Sequence, residues 1–254
     1  MRPEFVLPLF AALLAAGIAG AGECRLDSPA HRVTVVELYT SEGCSSCPPA
    51  DRWLSGLAAE GIGPAQAIPL AFHVDYWNTL GWPDRFSQAA FSERQRAVAV
   101  RGGARFVYTP QVIVDGRDFR AWGSGALRPR LRDVNGEAAA ARIDARVLRE
   151  GASLSVQGAV RGAGGLPAQA WIAVYEDGLS TEVRAGENQG ARLAHDHVVR
   201  RLAGPFPLDG RSGANLDWRT TVPADWDAAR LGVAVFAEQP RTGVVLTAAA
   251  CAAP

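Results

Sequence analysis

The stretch that most constrains this chain is Val33-Thr-Val-Val-Glu-Leu-Tyr39 running on into Cys44-Ser-Ser-Cys47-Pro-Pro49. β-Branched and aromatic residues dominate its first part, so it reads as a strand, and Thr40 to Gly43 leave the strand in a turn. Ala50-Asp-Arg-Trp-Leu-Ser-Gly-Leu-Ala-Ala-Glu60 then places Trp53, Leu54, Leu57 and Ala58 at the spacing of one helical face. A strand thus delivers two cysteines to a helix start. Unpaired backbone N–H groups and the positive end of the macrodipole meet there and favour a thiolate over a thiol. Proline in a first helical turn forfeits no intrahelical bond, which suits Pro48 and Pro49 to the junction.

The chain opens with Met1-Arg-Pro-Glu-Phe5 and an apolar run, Val6 to Ala21, too short for a comfortable membrane span. Ala19-Gly20-Ala21 fits small-x-small cleavage, so residues 1–21 read as a signal peptide and the mature chain is expected to start at Gly22, periplasmic or secreted. No later stretch has the length and apolarity of a span. Export decides how the four cysteines are read, because disulfides persist in an oxidising compartment. Cys24 and Cys251, near the two mature ends, are expected to form a structural bridge, and Cys44 with Cys47 a local pair.

Formal net charge is zero, leaving no basic surplus to neutralise phosphates, so nucleic acid is not an expected partner. Every basic residue is arginine, which excludes lysine-based catalysis. No glycine-rich phosphate loop, Gly-x-Ser-x-Gly elbow or His-Glu-x-x-His occurs, and neither a bound cofactor nor a metal is expected.

Beyond the first helix, Ala67 to Trp77 reads as a second strand, parallel to the first because a helix-length crossover joins them. Asn78 to Phe86 is an aromatic, polar loop. A helix from Ser87 or Ser92 through Val100 has Ser92 and Gln95 at capping-box spacing, and Gly102-Gly103 ends it. Tyr108 to Val114 is a third strand, Asp115-Gly116 a hairpin turn and Arg117 to Trp122 the return. Ser124 to Val134 is a last helix, interrupted near Pro129.

From about Gly136 short strands replace helices. Arg142 to Leu148 and Ser153 to Val160 form a hairpin around Glu150-Gly151. Ala170 to Tyr175, Leu193 to Leu202, Leu216 to Val222, Leu231 to Glu238 and Gly243 to Ala249 supply the rest. Two domains are expected: residues 22–136, α/β with a mixed sheet flanked by helices, and residues 137–254, a mostly-β, sandwich-like unit.

The order β-α-β-α-β-β-α, with Cys-x-x-Cys at the first helix and Thr109-Pro110 opening the third strand, resembles the thioredoxin-like superfamily. More narrowly, Glu37 to Asp51, His73-Val-Asp-Tyr-Trp77, Gly81-Trp82, Arg94-Gln-Arg96, Tyr108-Thr-Pro-Gln111, Gly186-Glu-Asn188 and His197-Val-Val-Arg200 resemble the exported domain-of-unknown-function 1223 family. The resemblance covers most of the mature chain and implies a fold more than an activity.

The residues themselves point to thiol–disulfide exchange on exported proteins or small thiols. Cys44 would attack from a position near solvent, and Cys47, deeper, would resolve. The superfamily resemblance adds a cis Pro110 facing the cysteines and a Thr109 backbone offered to substrate. Glu37, a carboxylate in an apolar strand, is a candidate proton acceptor for Cys47 or else a satisfied structural group. Tyr76 and Trp82 are candidate groove residues, while Arg94 and Arg96 read as a solvated helix face. Two alternatives stay open: a binding scaffold with an inert Cys44–Cys47 disulfide, and a copper-handling protein using Cys44, Cys47 and His73. His195 and His197, alternate residues of a strand, are a further candidate metal pair.

Overall fold

A computed structural model describes residues 22–162, 164–209 and 212–254; the expected signal peptide lies outside these residues. Strand β1 (Gly22–Asp27) is followed by β2 (Thr34–Thr40), every residue of which is buried, as a near-continuous apolar run covered on both faces must be. Then come helix α1 (Pro48–Gly56), β3 (Ala67–His73), α2 (Ala89–Arg101), β4 (Gln111–Val114), β5 (Arg117–Asp118) and α3 (Leu127–Asn135). Strands β2 and β3 are parallel, with Thr34 opposite Ala67 and Thr40 opposite His73, and β4 runs antiparallel to β2. Val36 and Leu38 pack under Ala50 and Leu54 of α1 and Leu127 and Leu131 of α3. The alternate residues Val35 and Tyr39 pack on the other face, against Phe91 and Val98 of α2.

The remaining elements are strands: β6 (Ala141–Glu150), β7 (Ser153–Gly162), β8 (Ala168–Glu176), β9 (Leu179–Glu182), β10 (Arg192–His195), β11 (Val198–Leu208), β12 (Ala214–Thr221), β13 (Leu231–Glu238) and β14 (Val245–Ala252). They complete a mixed α/β architecture of three sheets. Eight strands lie in the order β14-β13-β8-β11-β3-β2-β4-β5, four in the order β1-β6-β7-β12, and β9 with β10 form a hairpin apart from both. β6 alternates from Ala141 to Val147, so Ile143, Ala145 and Val147 face inward onto Ile172, Val174, Val233 and Val235 of the large sheet. The opposite face of those same strands, at Ala173, Ala234 and Phe236, joins the α2 layer. The eight-stranded sheet therefore runs through both halves of the chain. Its seam is β11 beside β3, where Val198 pairs with Ala71 and the Ala71 N–H donates to the His197 carbonyl at 2.8 Å.

The chain's start is woven into its second half: β1 pairs with β6 rather than with β2. Cys24 on β1 and Cys251 on β14 are joined by a disulfide that ties the four-stranded sheet to the eight-stranded one.

Several local expectations are corrected. Ser92 and Gln95 do not cap α2, which begins after Gln88; they lie inside the helix on its buried face. There the Ser92 hydroxyl donates to Asp75, and the Gln95 amide donates to the Tyr108 carbonyl and to Gln111. α3 is not interrupted at Pro129, because that residue sits in the first turn, where no N–H is needed. The expected return strand after Asp115-Gly116 shrinks to Arg117–Asp118, although the turn itself forms with both residues at positive φ, +53° and +73°. The single strand expected over 193–202 is two, broken at Asp196-His197, where His197 takes φ +58°.

Candidate functional site

Cys44 and Cys47 form a disulfide across a tight turn, with Cα atoms 5.4 Å apart and the Cys47 N–H donating to the Cys44 carbonyl at 3.2 Å. Cys47 is the N-cap of α1, and its carbonyl accepts from the N–H groups of Ala50 and Asp51. Pro48 and Pro49 bring no N–H of their own, so the donors left around Cys44 belong to the turn itself. Ser45 and Ser46 are exposed, yet both cysteines are fully buried. The expected gradient, Cys44 near solvent and Cys47 deep, is absent in this state.

The cysteine turn is also contacted from far along the chain. Asn188, in the loop joining β9 to β10, donates its amide to the carbonyls of Glu42 at 2.8 Å and Cys44 at 3.0 Å. The neighbouring Glu187 carboxylate accepts from the Ser45 N–H at 3.0 Å, and that bond holds it below the usual carboxylate range. Gly186 packs against Trp82: a Cβ at Gly186 would lie 3.1 Å from the Trp82 Cβ, and its φ of +75° favours glycine in any case. This loop, which the sequence offered only as part of the family resemblance and with no role, touches the cysteine turn.

On the other side, Ser46 donates to the Thr109 carbonyl at 3.5 Å, and its oxygen lies 3.4 Å from the Cys44 sulfur. The Thr109–Pro110 peptide is cis, and the Thr109 hydroxyl accepts from the Trp77 indole at 2.8 Å. Pro110 borders an open hollow of about 330 Å³ walled by Phe106, Tyr108, Val112, Arg120 and Trp122. Tyr76 and Trp82 do not line it. The Tyr76 hydroxyl donates to Gln95 and the Trp82 indole to Glu42 at 2.9 Å, so both aromatic rings are tied inward.

Glu37 is not brought to Cys47. In β2 it shares a face with Val35 and Tyr39, toward α2, whereas α1 and its cysteine cover Val36 and Leu38. Both its oxygens accept from Arg94, at 2.8 and 2.9 Å, and Tyr39 adds a third donor at 2.6 Å. Arg94 also reaches Glu238 at 3.0 Å and lies over the rings of Trp171 and Phe236. Arg94 is thus buried rather than solvated; Arg96 is the exposed member of that pair.

A buried acid on the cysteines' own helix is Asp51. It lies one helical turn beyond Cys47, the i,i+4 spacing that puts two side chains on one face, and both are buried. Burial pushes the Asp51 carboxyl up against the opposing pull of His195 and His73. Asp51 belongs to a buried polar cluster with Glu42, His73, Asp84 and His195. His73 Nδ1 lies 2.7 Å from Asp84, and burial, which alone would lower its pKa, is overcome by that carboxylate so that the net shift is upward. Asp84 in turn is lowered, since His73 and the N–H groups of Glu42 and Phe86 outweigh its burial. His195 stands 3.4 Å from Glu42 and 3.9 Å from Asp51 with neither ring nitrogen hydrogen-bonded.

No group of three or more His, Cys, Asp or Glu side chains is arranged to hold a metal ion among the described residues. His73, the third ligand of the copper reading, is engaged by Asp84. His195 and His197 do not act as a pair: the strand breaks between them, and His197 turns to Asp177 and Tyr175.

Fold and site together define a mixed α/β protein with a Cys-x-x-Cys disulfide at a helix start, closed over by a hairpin loop from the second half of the chain. The chain belongs to the family described as protein of unknown function (DUF1223), which it matches over residues 35–238. Among solved structures it is similar to the Agrobacterium tumefaciens protein AGR_C_4864, at 25% identity and TM-score 0.63, covering 88% of this chain and 96% of that one. HBP35 of Porphyromonas gingivalis shares the fold at 13% identity and TM-score 0.60, over 88% of this chain and 76% of that one. No curated protein matches.

Proposed function

We propose that this is an exported, thioredoxin-like thiol–disulfide oxidoreductase acting through Cys44 and Cys47 on exported proteins or small thiols. In this reading residues 1–21 are its signal peptide, 22–136 its redox unit and 137–254 a sandwich-like unit. The observation that carries it is the pairing of Cys44 with Cys47 at the start of α1, with the Thr109 carbonyl reached through Ser46. In the reduced protein the Cys44 thiolate attacks a substrate disulfide; that S–S bond breaks, and one substrate sulfur leaves as a thiol after taking a proton. Cys47 then loses its proton and attacks the Cys44 sulfur, which restores Cys44–Cys47 and releases the second substrate thiol. Asp51, raised and one turn away, is the acceptor suited to the Cys47 proton, a role the sequence had offered to Glu37. The hollow beside Pro110 gives an extended substrate segment an apolar wall.

Full burial of Cys44 favours a second reading, a scaffold whose Cys44–Cys47 disulfide is permanent. A redox titration with trapping separates the two. Exchange predicts a potential within the range of thiol oxidoreductases and a stable mixed disulfide on Cys44 in Cys47→Ser. A potential below about −300 mV with no trapped partner would establish the scaffold instead.

A further inference from the structure

We propose that the Gly186-Glu187-Asn188 segment is a lid over the oxidised pair, one that must lift before Cys44 can exchange. The proposal rests on the dithiol reading above and adds the step that controls it. An incoming thiolate must reach one sulfur of a disulfide along the S–S axis; it bonds to that sulfur while the other departs and takes up a proton. For Cys44 that approach is closed, since its residue has no solvent exposure although Ser45 and Ser46 beside it are exposed.

Three successive residues make the closure, and each touches the cysteine turn differently. Asn188 clamps the backbone on both sides of Gly43 by donating to the carbonyls of Glu42 and Cys44. Glu187 occupies the Ser45 N–H. Gly186 seats the loop on Trp82, whose indole is held by Glu42. None of these contacts is needed to form the turn, which already has its own bonds from Cys44 N–H to Ser41 and from Cys47 N–H to Cys44. The loop is also framed independently: Gly190 N–H donates to Val183, Ala191 N–H to Asn188 and Gln189 N–H to Gly186. Its hairpin, β9 with β10, is four residues long on each side and pairs with neither large sheet, so lifting the tip breaks no long ladder.

The closed lid also acts electrostatically. A Cys44 thiolate would draw on the N–H groups of its turn, and the two prolines leave few of them. Glu187 takes one, the Ser45 N–H, and sets a negative charge beside the cysteine turn, which disfavours the thiolate. Opening restores the donor and removes the charge in one movement, so access and reactivity are coupled.

The test is the rate at which dithiothreitol reduces Cys44–Cys47 in the full mature chain, quenched by alkylation and read by mass. Asn188→Ala and Asn188→Asp, which both remove the amide donor, are expected to accelerate reduction about thirtyfold, the effect of two hydrogen bonds of ordinary net strength. Glu187→Gln is expected to give a severalfold increase, together with faster alkylation of reduced Cys44 at neutral pH. Cys24–Cys251 in the same sample is the control and should keep its rate. Asn188 variants within twofold of wild type overturn the lid, and so does equal acceleration of both disulfides, which would mark general loosening. Unchanged rates alongside a trapped mixed disulfide in Cys47→Ser would refute the lid alone. Accelerated rates with no trapped partner would keep the lid and refute the exchange reading.

Discussion

Glu37→Gln and Asp51→Asn form a contrast that tests which acid serves the cysteines. Glu37 accepts three hydrogen bonds in a buried setting, two from Arg94 and one from Tyr39. Glutamine keeps one acceptor oxygen, so at least one Arg94 contact is lost along with the charge. Removing one partner of a buried ion pair costs about 3–5 kcal/mol. Arg94 retains Glu238 at 3.0 Å, which places the expected loss near the lower figure, about 3 kcal/mol. Urea unfolding with both disulfides intact measures it as a lower midpoint at unchanged slope. Exchange through Cys44 should stay within twofold of wild type, because Glu37 faces α2 and the cysteines lie on the other face of β2. Asp51→Asn should do the reverse: under the proposed exchange it removes the acceptor assigned to the Cys47 proton and slows release of the mixed disulfide about tenfold or more. A Glu37→Gln protein of wild-type stability with slowed exchange would refute the facing argument and return the acceptor role to β2.

The His73–Asp84 pair sets a pH window. Asp84 is lowered on folding, so its contribution is present above the ordinary aspartate value, about 3.9, and is lost as pH falls through the lower folded value. His73 is raised, so its contribution is complete below about 6.5 and is lost as pH rises through the higher folded value. Asp84→Asn should flatten unfolding stability across that interval and lower it by about 3 kcal/mol, read from urea midpoints at several pH values. Removal of the Cys24–Cys251 bridge in the double serine variant, closing a sequence separation of 227 residues, should reduce unfolding stability by up to roughly 5 kcal/mol, with the Cys44–Cys47 reduction rate unchanged.

Much of the first half was legible because its signals are local. A β-branched run ending in Cys-Ser-Ser-Cys-Pro-Pro specifies strand, turn and helix start within a few residues, and Asp115-Gly116 specifies its turn. The strands after residue 136 were legible as short runs between turn residues, and the β6–β7 hairpin forms around Glu150-Gly151; only β6, over Ala141–Val147, and β12 show the alternation of a half-buried strand, while β13 is buried throughout. Buried charge misled the reading, since polarity predicts solvent only where no partner is at hand. Arg94 looked like a surface residue because Glu37 and Glu238 lie far from it in sequence. Asp51 was the readable miss: its spacing from Cys47 is that of two residues on one helical face. Glu187 and Asn188 offered no local signal, since their partners are more than a hundred residues away.

That long-range closure follows from the sheet. Val198 pairs in parallel with Ala71, so β11 is the strand next to β3, and before it the chain lies off the sheet, where the His195 ring meets that of His73 at the end of β3, 5.0 Å between centroids. Strand β10 ends at His195, 3.4 Å from Glu42 and 3.9 Å from Asp51, and the β9–β10 hairpin carries its loop to the cysteine turn, where Asn188 bonds to Glu42 and Cys44. A hairpin anchored at its base by a buried histidine and held at its tip by Glu187 and Asn188 has a firm root and a releasable end. The hairpin that precedes the seam strand β11 is therefore what places a loop of the second half of the chain against the cysteine turn of the first.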